Sequence, residues 1–146
     1  VNAVAMASVY KADRQYEEYL RIEMPGGLSF FVEEWKKDSG LPKWEKEYKY
    51  PPLASLLATK GNLVFVPGAD GRFEALDART GATLWQHNNG IGHHGGVISY
   101  TANGKQYIAV VTGWGSHVSG NYCPLFGEPF CSMPTDAGQL LVFALP

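Results

Sequence analysis

Two adjacent histidines, His93 and His94, carry ring nitrogens suited to proton transfer or metal binding near neutral pH. They lie in the glycine-rich segment IGHHGG. Neighbouring side chains of an extended chain point to opposite faces, which argues against one metal ion bound by both. Two interpretations stay open: a structural loop with one imidazole hydrogen-bonded and the other in solvent, or a part in lining a substrate path. His117, which stands alone, is interpreted as a loop residue rather than a proton shuttle.

The two cysteines, Cys123 and Cys131, enclose the proline-containing segment CPLFGEPFC. The sequence has no Cys-x-x-Cys-His motif, which excludes covalent haem attachment within this chain. Two cysteines without a nearby histidine pair also make a poor zinc site. In an exported protein they would form a disulfide, and loop closure would stabilise the fold by about 2–3 kcal/mol. Free thiols, or pairing with another chain, are the alternatives.

The carboxylates do not form a recognisable catalytic or metal-binding set. They fall in turns or in the charged segment of residues 36–49, where a solvated surface position is the expected one.

Composition limits the fold class and the partners. The 146 residues are 45% hydrophobic and 18% charged, which excludes a disordered chain. A net charge of −2 gives no electrostatic footprint for nucleic acid or an anionic membrane, and no apolar run is long enough to span a bilayer. Aromatic residues at 13%, with 17 glycines and 9 prolines, favour an all-β fold of many short strands.

The first part of the chain gives weaker signals. Residues 1–10 are small and apolar and are expected to form a buried strand, so we expect a processed or cut chain with more sequence upstream. Residues 11–23 are polar, and we expect either a short helix or a surface excursion there.

The elements that position the candidate residues are organised around the segment ALDARTGATLW, residues 75–85. Two short strands joined by the turn GADG precede it. Its Asp and Thr can hydrogen-bond to the turn backbone, while Gly81 adopts a left-handed conformation. Trp85 then follows as a hydrophobic anchor for a neighbouring sheet. A degraded copy ending at Trp44 lies about 40 residues earlier, which is the period of a four-stranded propeller blade.

Two further segments extend this pattern. Asn103-Gly104 between two apolar runs is a strong hairpin signal, and residues 138–145 repeat the strand of residues 71–76. The chain therefore holds two to three blades, with junctions near Trp44 and Trp85 and an insertion at residues 118–137. A propeller needs at least about four blades, so an upstream segment or another chain must complete the ring.

Four segments of the sequence resemble the C-terminal part of the pyrroloquinoline-quinone (PQQ)-dependent dehydrogenases, periplasmic quinoproteins that oxidise alcohols, methanol, polyols and sugars. They are LATKGNLVF, DGRFEALDARTGATLW, YTANGKQYIAV and GWG, followed by the ending LLVFALP. That family folds as an eight-bladed β-propeller, so the resemblance implies an all-β fold in which residues 1–146 are the C-terminal portion of one propeller domain. A non-catalytic scaffold, such as the outer-membrane assembly lipoprotein of bacteria, has the same tryptophan-docked blades and is the alternative.

The resemblance also implies where the cofactor lies. In the family, PQQ is bound with a calcium or lanthanide ion, and the metal ligands and the catalytic Asp come from upstream blades. This sequence has no match for them, so the resemblance implies that this chain has no catalytic residue and no metal ligand and is inactive alone. Two loops near the C-terminus approach the quinone, which here correspond to Leu53-Ala54 and to Gly113-Trp114-Gly115. Leu53 stands where methanol dehydrogenases have a Trp. For Trp114, packing between blades is the alternative to a place beside the cofactor.

The partners follow from the same resemblance. They are the chain or segment with the remaining blades, a small alcohol or sugar substrate, and an electron acceptor such as a cytochrome c or a quinone. The location is the periplasm, where a Cys123–Cys131 disulfide is stable. The insertion would lie at the rim of the propeller, where it could cover the substrate funnel.

Overall fold

The structure is a computed structural model that describes residues 16–23, 29–36, 42–52, 54–114 and 119–144. The strands of these residues form three antiparallel sheets, each built from strands that are consecutive in the chain. The first sheet contains β1 (Tyr16–Glu23), β2 (Ser29–Lys36) and β3 (Pro42–Tyr48). The middle sheet contains β4 (Leu57–Ala58), β5 (Leu63–Pro67), β6 (Arg72–Asp77) and β7 (Thr83–Asn88). The third contains β8 (Val97–Ala102), β9 (Lys105–Gly113) and β10 (Gly138–Ala144), with helix α1 (Ser119–Phe126) between β9 and β10.

The hairpin predicted at Asn103-Gly104 is confirmed. Both residues have positive φ, 50° and 75°, as a two-residue type I′ turn requires. The turn fixes the register of β8 and β9, which pair from Val97 opposite Val110 to Ala102 opposite Lys105.

The short helix expected within residues 11–23 is wrong for the part that the structure describes, and the surface excursion stays a prediction. Residues 16–23 form β1, which pairs with β2 along its whole length, from Tyr16 opposite Lys36 to Glu23 opposite Ser29. A polar, glutamate-rich segment has low intrinsic strand propensity, so the ladder to β2 determines its conformation. The strand predicted at residues 1–10 lies outside the described residues.

The first and middle sheets meet at Trp44. Its indole nitrogen donates a hydrogen bond to the carbonyl oxygen of Ala78, 3.0 Å away, in the turn between β6 and β7. Gly81, in the same turn, lies against the indole face and has a positive φ of 73°. Apolar side chains of both sheets fill the junction beneath this contact, among them Val32, Tyr48, Val64 and Leu76.

The middle and third sheets share a second apolar core. Phe65, Phe73 and Ala75 of the middle sheet pack against Val97, Ile108 and Val110 of the third. Phe143 on β10 lies 5.6 Å from Phe73 and 5.0 Å from Trp85, measured between ring centroids. Trp85 thus contacts the neighbouring sheet, although 40% of its surface is exposed.

The opposite face of the third sheet is apolar and exposed in this chain. Ile98 lies beside Ala109 and Val142 in the ladder, and Val111 lies beside Leu140. The exposed side chains of this face are Ile98, Tyr100, Val111, Leu140 and Val142. Burying such a surface is worth about 25 cal/mol per Å², so it is suited to packing against another sheet.

The loops at one end of the sheets converge. The β3–β4, β5–β6, β7–β8 and β9–β10 connections contribute Tyr50, Ala69, Ile91 and Trp114, respectively, to one buried cluster. Tyr122, Phe130 and Met133 from the long β9–β10 connection complete it. We call this the loop end, and it is where the candidate site lies.

Candidate functional site

The candidate site is built around Trp114, which follows the last residue of β9. Its side chain is only 4% exposed. Ring centroids of Tyr122 and Phe130 lie 5.0 Å and 5.5 Å away, and both rings meet the indole edge-on. The indole nitrogen donates a hydrogen bond to the sulfur of Met133 at 2.8 Å. Two aromatic contacts and a hydrogen bond therefore hold the indole in place.

Glycines allow the two loops on either side of the indole to approach each other. The Gly113 nitrogen donates to the Gly92 carbonyl oxygen at 2.8 Å. A Cβ atom at Gly92 would overlap the Trp114 ring, so this position has no room for a side chain. Gly113 has a φ of 132°, which side chains of L residues rarely adopt. The β7–β8 and β9–β10 connections thus form one joined unit at the loop end.

His93 is a structural residue of the β7–β8 loop. Its side chain is fully buried, and its ring nitrogen Nε2 lies 3.3 Å from the Gly71 carbonyl oxygen. Its backbone nitrogen donates to the Gly68 carbonyl oxygen at 3.1 Å. Burial lowers the pKa of His93, which keeps the imidazole neutral near pH 7.

His94 has a different environment from its neighbour. Its ring lies 4.7 Å from the Trp114 ring and 6.0 Å from the Tyr122 ring, between centroids. Its Nε2 atom is shielded from solvent, and no hydrogen-bond partner for it lies among the described residues. Burial lowers its pKa. The loop interpretation, with one imidazole hydrogen-bonded and the other in solvent, is therefore right for His93 only.

A cavity of about 540 Å³ lies beside these residues. We call it the loop-end cavity. His94 and Gly95 form one wall, the end of β9 forms the second, and the start of β10 with the residues before it forms the third. Its lining residues are His94, Gly95, Val111, Thr112, Gly113, Thr135, Asp136, Ala137 and Gly138. Val111 also belongs to the exposed face of the third sheet, so the cavity lies at the edge of that face.

The residues predicted to border the cofactor differ in their position relative to the loop-end cavity. Gly113 lines the loop-end cavity, and Trp114 lies next to it in the buried cluster. Ala54 is buried, and the adjacent Ser55 accepts a 3.4 Å hydrogen bond from the Val97 nitrogen, which ties that loop to the start of β8. Leu53, Gly115 and His117 lie outside the described residues.

The β9–β10 connection covers the cluster and carries the predicted disulfide. Cys123 and Cys131 are bonded to each other. Helix α1, which the sequence did not predict, ends where Gly127, with a φ of 67°, donates from its nitrogen to the Cys123 carbonyl oxygen at 2.9 Å. The helix places Tyr122 against Trp114. Sequence reasoning also missed Met133, whose role depends on a contact 19 residues away in the chain.

Within the part of the chain that the structure describes, no three His, Cys, Asp or Glu side chains lie close enough together to hold a metal ion. The described part likewise contains no helix with the length and apolar character needed to cross a bilayer.

Comparisons with known proteins place this fold in one family. The family model for the β-propeller domain of PQQ-type glucose/ethanol/alcohol dehydrogenases matches residues 30–108. The quinoprotein alcohol dehydrogenase PedE of Pseudomonas putida is 39% identical over 106 residues, which are 70% of this chain and 16% of that protein. A quinoprotein ethanol dehydrogenase of Pseudomonas putida is 37% identical over 111 residues, 74% of this chain and 17% of that protein. The chain therefore spans less than a fifth of the length of these two relatives.

Solved structures give the same fold. A europium-containing methanol dehydrogenase superimposes with a TM-score of 0.66 at 25% identity, over 93% of this chain and 24% of that one. The quinohemoprotein alcohol dehydrogenase from Comamonas testosteroni gives a TM-score of 0.66 at 20% identity, over 73% of this chain and 22% of that one. The predicted all-β fold of propeller blades is thus confirmed. The chain belongs to the PQQ-dependent glucose/ethanol/alcohol dehydrogenase family and forms part of its β-propeller.

Proposed function

We propose that this chain supplies blades and part of the cofactor cavity to a PQQ-dependent enzyme that oxidises an alcohol, polyol or sugar. The observation that carries the proposal is the loop-end cavity, which lies beside Gly113 in a member of the quinoprotein family. The types of residue that line the cavity suit a flat, polar cofactor. Three glycines among its lining residues, Gly95, Gly113 and Gly138, leave room for close backbone approach, and Thr112 and Asp136 supply polar side chains.

The residues of this chain bind and orient rather than react. Gly113 and Gly115 border the cofactor with their backbone, and Trp114 holds that loop in place through its contacts with the buried cluster. Leu53 and Ala54 border it from the β3–β4 loop. When bound, the quinone accepts the hydride equivalent that the alcohol carbon gives up. The catalytic carboxylate and the ligands of a calcium or lanthanide ion belong to the remaining blades.

The remaining blades, from an upstream segment or another chain, pack against the exposed face of the third sheet. The electron acceptor is a cytochrome c or a quinone, and the protein acts in the periplasm. A cytochrome c as the electron acceptor is supported by a relative. The 1-butanol dehydrogenase (cytochrome c) of Thauera butanivorans is 42% identical over 79 residues. The insertion at residues 118–137 lies at the rim and covers the entrance to the site.

Reconstitution tests the function. The propeller, assembled from this chain and the remaining blades, is prepared without quinone. It should reduce an artificial dye with ethanol only after PQQ and a calcium or lanthanide ion are added, and it should retain quinone absorbance after gel filtration. A folded ring that retains no quinone and reduces no dye with any alcohol would support the scaffold alternative.

A matched pair of variants tests the cavity itself. Gly113 and Gly104 both have positive φ, 132° and 75°, so Ala imposes backbone strain at each. Gly113 lines the cavity, whereas a Cβ atom at Gly104 would meet nothing within 4 Å. Gly113→Ala should weaken PQQ retention, and Gly104→Ala should leave it unchanged. Equal PQQ retention in the two variants would remove Gly113 from the cofactor cavity.

A further inference from the structure

The sequence contains two Asn-Gly pairs, Asn89-Gly90 and Asn103-Gly104. Asparagine before glycine is open to a reaction of the chain with itself, because the glycine nitrogen has no Cβ atom beside it and can approach the asparagine side chain. That nitrogen attacks the side-chain amide carbon only if the asparagine side chain is free to turn toward it and the glycine N–H is exposed to solvent. The two pairs differ in both respects.

Asn103-Gly104 meets both conditions. The two residues form the exposed turn between β8 and β9, and the pair Ala102–Lys105 closes the ladder, so that the turn nitrogens lie outside it. Within the part of the chain that the structure describes, neither the Asn103 side chain nor the Gly104 nitrogen forms a hydrogen bond. A Cβ atom at Gly104 would meet nothing within 4 Å, so the space around the reacting nitrogen is open.

Asn89-Gly90 meets neither condition. In the amide orientation that satisfies its hydrogen bonds, the half-buried Asn89 side chain donates to the carbonyl oxygens of Ile91 and Gly71, both at 3.0 Å. The Gly90 nitrogen donates to Oδ1 of Asn88 at 2.8 Å. The nucleophile and the side chain that it would attack are therefore both held in other contacts.

A left-handed backbone conformation does not by itself make an asparagine reactive. Asn62 has a φ of 59°, close to the 50° of Asn103. The residue after it is Leu63, whose side chain stands beside the nitrogen and whose nitrogen donates to Oγ1 of Thr59 at 3.4 Å. Among the described residues, Asn103 alone combines a free side chain with a following glycine whose nitrogen is exposed.

We propose that Asn103 is a site of spontaneous deamidation. The Gly104 backbone nitrogen bonds to Cγ of Asn103 and gives up its proton, and the side-chain amide leaves as ammonia, which produces a cyclic imide. Water then opens the imide at either carbonyl. Opening at Cγ leaves an aspartate in the normal main chain, and opening at the backbone carbonyl leaves an isoaspartate, in which the main chain runs through the former side chain. The sum of the steps consumes water and releases ammonia.

The two products affect the hairpin differently. Asp-Gly suits the same type I′ turn as Asn-Gly, so the aspartate form keeps the register of β8 and β9 and adds a negative charge. The isoaspartate form lengthens the main chain within a two-residue turn, which no longer fits the pairing of Ala102 with Lys105. The turn lies at the end of the third sheet opposite to the loop end, so the change loosens that sheet without touching the loop-end cavity.

The test follows both pairs in the same protein. The assembled propeller is incubated in weakly alkaline buffer and then digested with chymotrypsin. Cleavage after aromatic residues places Asn89 in the peptide 86–100 and Asn103 in the peptide 101–107, so mass spectrometry measures the two conversions separately. Asn103 should convert at least about tenfold faster than Asn89, because the hydrogen bonds of the other pair must break before it reacts. In urea, where those contacts are absent, the two rates should become similar.

A control variant shows what the modification does. Asn103→Gly has no side-chain amide, and Gly-Gly also suits a type I′ turn. After incubation, the wild-type peptide 101–107 should be labelled by an isoaspartyl methyltransferase, and the urea midpoint of the wild-type propeller should fall further than that of Asn103→Gly incubated in parallel.

Two results would count against the inference. Asn89 converting as fast as Asn103 in the folded protein, or Asn103 staying unconverted, would overturn the site. Equal midpoints in the variant and in a labelled wild type would contradict the effect on the hairpin. These readouts need no alcohol oxidation, so their outcome is independent of the proposed function.

Discussion

The indole nitrogen of Trp44 donates a 3.0 Å hydrogen bond to the carbonyl oxygen of Ala78, so that the last strand of one sheet is fixed to a turn of the next. The same indole covers Gly81 in that turn. The ALDARTGATLW segment therefore receives the tryptophan of the preceding sheet and carries its own, Trp85, toward the following one. The junction therefore depends on the absence of a side chain at Gly81 as well as on the indole of Trp44.

Gly81→Ala tests this dependence. A Cβ atom at Gly81 would lie 2.5 Å from Cε3 of Trp44, and the φ of 73° adds backbone strain. Gly90 has a similar φ of 71°, but a Cβ atom there would meet nothing within 4 Å. We expect Gly90→Ala to cost about 1 kcal/mol of unfolding free energy and Gly81→Ala at least about 2–3 kcal/mol. Urea denaturation of the assembled protein measures both, and equal losses would show that the indole moves aside without cost.

Glu74 carries a buried charge between the first two sheets. Its Oε2 accepts hydrogen bonds from the Tyr48 hydroxyl at 2.9 Å and from the Lys46 ammonium at 3.2 Å, and its side chain is 4% exposed. Burial and the Glu74 carboxylate raise the pKa of Tyr48, so its hydroxyl stays protonated and donates. Glu74→Gln removes the charge but keeps the shape, and it should destabilise the protein by about 1–3 kcal/mol.

The control for this change is Glu47→Gln, on the exposed side of β3. A surface substitution of this kind should change stability by less than about 0.5 kcal/mol. Thermal unfolding of both variants and the wild type makes the comparison. A Glu74→Gln variant as stable as the wild type would mean that the desolvation penalty of the ion pair cancels its attraction.

Short sequence motifs predicted the hairpin turn and the blade junctions. Asn103-Gly104 predicted its hairpin because both turn positions require positive φ, and the repeat with Trp44 predicted blades because each sheet needs an anchor. Strand β1 and helix α1 were not predicted, since each depends on the element it packs against and not on the propensity of its own residues. β1 pairs with β2, and α1 packs Tyr122 on Trp114 despite an internal Pro124.

The candidate site was predicted only in part for the same reason. The Gly-Trp-Gly segment marked a loop with close backbone approach, and Gly113 does line the cavity. The partners of Trp114 were not predictable, because Gly92 and Met133 reach it from two different loops. The different environments of His93 and His94 likewise follow from tertiary packing, since the two residues are adjacent in the sequence.

Stability should fall on mild acidification because of these two histidines. Burial lowers the pKa of both in the folded state below the usual value of about 6.5. Between about pH 6.5 and the lowered folded pKa, the unfolded chain binds protons that the folded chain does not, so the free energy of unfolding decreases as pH falls. Urea midpoints at pH 7.5 and 5.5 measure the effect. The double variant His93→Gln/His94→Gln should have a smaller difference between the two midpoints, and an equal difference would assign the acid sensitivity to other groups.

Reduction of the Cys123–Cys131 disulfide should loosen the cover over Trp114 before it affects the sheets. The bond closes a short loop that contains part of α1 and leads to Phe130, which packs on the indole. Loop closure of this length contributes about 2–3 kcal/mol in the chain-entropy description, and the loss falls on the connection between β9 and β10. Cys123→Ser/Cys131→Ser should raise hydrogen exchange at residues 119–133 and change Trp114 fluorescence, while exchange in β5 and β6 stays as in the wild type. Exchange that rises equally in β5 and β6 would show that the disulfide supports the whole fold rather than the loop end.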